Sequence, residues 1–168
     1  VVAIGDTHCG HIAGLTPPDW QFKPDAEFPY RAKIGRMQRE AWAWYAAKVK
    51  QYGPADILLL NGDAIDGRGE RSGGTELCST DRNEQAAMAV ECVRSWKAKS
   101  HVFTRGTPYH TGDAEDFEDQ IAREFGASIG NHEWPSVNGL VFDLKHKIGS
   151  SSVPHGRHTA LARARRAA

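Results

Sequence analysis

Apolar positions follow two periods that alternate along the chain. Val1-Val2-Ala3-Ile4 and Ile57-Leu58-Leu59-Leu60 are short unbroken apolar runs, the pattern of buried parallel strands. Between them Ile34, Met37, Ala41, Trp44, Tyr45 and Val49 recur at three- and four-residue steps. That spacing predicts a helix over about 30–52, stopped by Gly53 and Pro54. A second helix is expected from a cap at Ser79, Thr80 or Asp81 to about Lys99, with Ala86, Val90, Val93 and Trp96 on its apolar face. His101 to Arg105 follows as a strand. A third helix is expected over 114–125, opening on acidic residues and stopped by Gly126. Asn138-Gly139 between apolar stretches predicts a hairpin. Phe142 to Gly149 reads as a further strand ending near His146, and Thr159 to Ala168 as a basic helix. Residues 11–29, with four prolines and Trp20, Phe22 and Phe28, read as a loop packed by its aromatics, and the Gly-rich residues 67–80 as an exposed one. The alternation of strand and helix predicts an α/β domain.

Candidate chemistry sits where two of the strands end. The second run stops abruptly in Asn61-Gly62-Asp63-Ala64-Ile65-Asp66, and the first in Gly5-Asp6-Thr7-His8. A strand tip is a rigid mount for a carboxylate that must hold a metal. Residues i and i+2 of an extended segment point the same way, so Asp6 and His8 can converge on one ion. Oxygen with imidazole suits Mn, Fe or Zn better than Mg or Ca. For one Gly-Asp tip an ordinary turn is the simpler explanation; two tips in one chain favour a site.

These stretches resemble the first two motifs of the calcineurin-like metallophosphoesterases, G-D-x-H and G-D-x-x-D. The resemblance runs over about residues 1–160. It implies a layered α/β/β/α sandwich, with helices flanking a mixed sheet. It also implies two divalent cations, manganese first and iron or zinc next, bridged by Asp63. Asp6 and His8 would hold one ion, and His146 with Thr107 the other. The implied activity is hydrolysis of phosphate mono- or diesters by a bridging hydroxide. Asp66 would orient a ligand from behind, and Arg68 and Arg105 are candidate phosphate contacts.

The family's third motif, Gly-Asn-His followed by an acid, has two candidates. Gly130-Asn131-His132-Glu133 matches letter for letter. Gly106-Thr107-Pro108-Tyr109-His110 has Thr for Asn and two intervening residues, yet it ends a β-α-β unit that begins at Asp63. Its loop should emerge at the sheet edge that carries Asp6 and Asp63. The Gly-Thr-x-x-His form also resembles phage-type members of the family. Position favours His110 as the residue serving the leaving group. The literal match falls in the expected hairpin. A fifth motif, Gly-His-x-His, does not follow His146; His155-Gly156-Arg157-His158 has the wrong order. The resemblance therefore implies a single domain over 1–168 that is incomplete at its C-terminus.

Composition changes this picture little. The 168 residues suffice for one domain with a core. Lys plus Arg (21) equals Asp plus Glu (21), so no overall field draws the chain to nucleic acid, and the partner that the resemblance implies is a phosphate ester. No apolar run approaches the roughly 20 residues of a membrane helix. Cys9, Cys78 and Cys92 show no paired spacing, which suits a reducing, cytoplasmic compartment. The chain opens inside a strand without Met, as a chain trimmed at its front would. Thr107 and the missing fifth motif leave an alternative: a non-catalytic metal-binding or scaffold protein with a degraded site.

Overall fold

The computed structural model describes residues 1–24, 27–111, 117–149, 156 and 158–167. The elements are β1 (Val2–Ile4), α1 (Pro29–Tyr52), β2 (Ile57–Asn61), α2 (Arg82–Ser95) and β3 (Ser100–Thr104). After them come α3 (Pro108–Thr111), α4 (Phe117–Glu124), β4 (Ser128–Gly130), β5 (Ser136–Val137), β6 (Leu140–Val141) and α5 (Thr159–Ala167). The main sheet has the order β1-β2-β3-β4 and is parallel throughout. The expected mixed sheet is therefore corrected, because the antiparallel pair β5–β6 forms a sheet of its own.

Each parallel pair is bridged by a helical crossover, so the strand tips all emerge at one edge. Leu58 and Leu60 of β2 and Phe103 of β3 form one core with Tyr45 of α1, with Ala86, Ala89, Cys92 and Val93 of α2, and with Ile121 and Ala122 of α4. Tyr45 ties two helices together: its hydroxyl donates to the Cys92 carbonyl and accepts from the Trp96 indole. Burial pushes the Tyr45 pKa up, with the Cys92 and Cys9 thiols adding to it. Among the described residues, no helix is long and apolar enough to cross a membrane.

Several expectations shift for local reasons. The inward stripe of α1 is Ile34, Gln38 and Tyr45, while Met37 and Trp44 are exposed. The helix turns Gln38 inward because its side chain accepts the Phe22 amide and so holds down the preceding loop. Trp20 packs that loop on the core, whereas Phe28 stays exposed. Asp81 caps α2 by accepting the Asn83 amide. That helix ends at Ser95, not near Lys99: Lys97 turns left-handed (φ 49°), and the amides of Lys99 and Ser100 bind the Ala55 and Asp56 carbonyls. The third helix is described from Phe117, its expected start at Ala114 lying outside the described residues, and Gly126 (φ 58°) ends it. The Asn138-Gly139 hairpin forms with both residues at positive φ, and reciprocal bonds between Glu133 and Leu144 extend it. The expected strand from Phe142 to His146 does not form beyond that one bridge at Leu144. The loop at 150–155, Arg157 and Ala168 lie outside the described residues.

Candidate metal centre

The two Gly-Asp tips run on side by side beyond their strands. The Asp6 amide binds the Gly62 carbonyl, the His8 amide binds the Asp63 carbonyl, and the Asp66 amide binds the Cys9 carbonyl. Asp6, His8 and Asp63 all sit at positive φ (52°, 43° and 48°). Such backbones are uncommon outside glycine, cost free energy, and cluster at functional sites. Three of them, each on a candidate ligand, set this edge of the sheet apart. Gly62 has φ 70°, and a Cβ there would meet the His146 ring at 2.6 Å. The His146 ring comes this close to the tip because that position has no side chain.

Three histidines converge with the same polarity. His146 Nδ1 lies 2.6 Å from the Asn61 carbonyl, and its Nε2 lies 3.0 Å from Asp63 Oδ2. His110 Nδ1 lies 3.0 Å from the Asp66 carbonyl, and its Nε2 lies 4.0 Å from Asp63 Oδ2. His8 Nδ1 lies 3.0 Å from Asp66 Oδ1, and its Nε2 lies 3.8 Å from Asp6 Oδ1. A carbonyl or carboxylate only accepts, so each Nδ1 carries the proton. Each Nε2 then turns toward a carboxylate. For His8 and His146, a neutral Nε2 facing a carboxylate would set two acceptors against each other, and a cation between them would turn both into ligands.

Ligand atoms of His8, Asp63 and His110 lie within 4.8 Å of one another, and so do those of Asp6, Asp63 and His146. Asp63 belongs to both groups and is 4 % exposed. The donor set fits borderline divalent cations. Thr107 is also here, but its amide donates to Asp63 Oδ1 at 2.6 Å and its hydroxyl lies 3.2 Å from the same atom.

Asp66 stands behind the histidines, 7 % exposed, with Oδ1 3.0 Å from His8 Nδ1 and 3.3 Å from His110 Nδ1. Burial raises its pKa, but the His8 hydrogen bond and the charges of His11, His110 and His8 outweigh burial and hold it low. The Asp66 hydrogen bond raises the His8 pKa, against burial and with help from the Asp63, Asp66 and Asp6 charges.

The arginines are placed less directly. Arg105 pairs with Asp119 at 2.6 Å. Arg68 is exposed and close enough to Arg82 to lower the latter's pKa after burial has done so. His132 lies apart: it pairs with Asp143 and stacks on Trp134. Gly130 ends β4 rather than belonging to the hairpin.

Sequence reading missed Glu118. It is 4 % exposed and accepts the Ala64 amide at 2.8 Å and the Gly106 amide at 2.7 Å. Burial raises its pKa, opposed by those two amides. The signal was a carboxylate three and four residues before Ile121 and Ala122, on the apolar stripe of α4. A cavity of about 1080 Å³ borders the site, running from Asp6, His8 and Asp66 between β1 and α1 to Trp44 and Tyr52.

No protein-family model matches the chain, and no curated protein matches it significantly.

Proposed function

We propose that the chain is a metal-dependent phosphoesterase of the calcineurin-like type, with that family's layered α/β/β/α architecture in partial form. The observation that carries this reading is the common polarity of His8, His110 and His146. Each has Nδ1 fixed by an acceptor, and its Nε2 faces the Asp6 or Asp63 carboxylate.

Asp63 would be shared by two divalent ions, with Asp6 and His8 on one side and His146 with Thr107 on the other. Bound ions would supply Lewis acidity toward a phosphoryl oxygen and the attacking water. The chain's own residues do the rest. Asp66 holds the His8 and His110 rings in orientation. His110, its Nδ1 held by the Asp66 carbonyl, would serve the leaving oxygen from Nε2. The cavity beside Asp6 and His8 gives the remainder of the ester room. Arg68 and Arg105 are the candidates for phosphate contact, Arg105 from its pair with Asp119.

One observation favours the scaffold alternative. Thr107 directs both its amide and its hydroxyl at Asp63, and a neutral hydroxyl is a poorer ligand than an amide oxygen. Hydrolysis of bis(p-nitrophenyl) phosphate with Mn²⁺ decides between them. Turnover that disappears in Asp63→Asn supports the enzyme. Mn²⁺ binding without turnover supports the scaffold.

A further inference from the structure

We infer that Glu118 is the positioning residue that holds the two candidate metal loops in register. This deepens the metal-centre reading and rests on it. The carboxylate arrives from α4, outside both Gly-Asp motifs, and is almost fully buried. Its two oxygens are divided between the loops: Oε1 accepts the amide next to Asp63, and Oε2 accepts the amide next to Thr107. The second loop then lies directly on the first. A Cβ on Gly106 would collide with the Asp63 carboxylate and amide, and the Thr107 amide reaches Asp63 Oδ1. Glu118 therefore fixes Asp63 from both sides, through its following peptide and through the donor on its carboxylate. The position calls for two acceptors on one planar group. Gln offers one acceptor and sets its NH₂ against the other N–H, and Asp is one methylene too short to reach from the same backbone.

The test compares wild type with Glu118→Gln and Glu118→Asp, each shown folded by circular dichroism. Mn²⁺ affinity is measured by calorimetry with the metal alone, and exchange of the Ala64 and Gly106 amides by NMR in metal-free protein. We expect roughly 10- to 100-fold weaker Mn²⁺ binding in Glu118→Gln, the usual cost of removing support behind a ligand. Both amides should exchange faster. Excess Mn²⁺ should restore part of the turnover, which a merely structural role would not produce. Mn²⁺ affinity equal to wild type in a folded Glu118→Gln overturns the positioning role while leaving the metal centre intact. Wild type that binds no Mn²⁺ overturns the metal-centre reading and this inference with it; the amide exchange then reports only a structural clamp.

Discussion

Asp66 and His8 make the site pH-sensitive in a definite direction. The raised His8 pKa contributes stability that is complete below its ordinary value of 6.5 and is lost as pH rises through the folded value. The lowered Asp66 pKa contributes stability present above its ordinary 3.8 and lost as pH falls through the folded value. The pair thus stabilises the metal-free chain most between those two ordinary values. Melting temperature measured against pH should peak in that window, and Asp66→Asn should flatten the peak. A metal-free wild type whose melting temperature climbs steadily from pH 5 to 8 contradicts the pairing. The histidines separate by position. His110→Ala should lower turnover by roughly 10²–10⁴-fold, as loss of a general acid does, and leave Mn²⁺ binding largely in place. His132→Ala, altered at a site paired with Asp143 and Trp134, should be nearly silent. The reverse outcome moves the leaving-group role to residues 130–133.

The loops that end β2 and β3 are coupled by a close approach. Gly106 lies so near Asp63 that any side chain displaces one from the other. Gly106→Ala should weaken Mn²⁺ binding while helix content by circular dichroism stays near wild type; unchanged affinity would mean the loops move independently. Most elements were legible from apolar period and cap residues. Unbroken Leu runs gave β2, and Asp81 and Gly126 marked the ends of their helices. β4 was not legible, because Ser128-Ile129-Gly130 carries one apolar residue and three residues are too few for a period. The inward face of α1 was misjudged because Gln38, a polar residue, is the one buried to hold the Phe22 amide. Propensity reads chemistry along the chain, and that bond depends on a partner sixteen residues away.

Across the whole molecule, two parallel crossovers deliver the tips of β1, β2 and β3 to one edge of the sheet. Asp6, Asp63 and the Gly106 loop meet there although up to a hundred residues separate them. The Gly-Asp tips were legible because strand, glycine and carboxylate are adjacent in sequence. His146 was suspected, but its route was not: it reaches Asn61 and Asp63 from irregular chain rather than from a strand end. Glu118 shows in the sequence only as a carboxylate on the apolar stripe of α4, because its partners are backbone amides, which leave no trace in residue identity.

The most direct test of the account is Mn²⁺ binding, measured by calorimetry on the wild type and on Asp63→Asn. Two sites that share Asp63 should give saturable binding of two ions per chain in the wild type, and loss of at least one when the shared carboxylate becomes an amide. No saturable binding, or the same stoichiometry and affinity in both proteins, would contradict it.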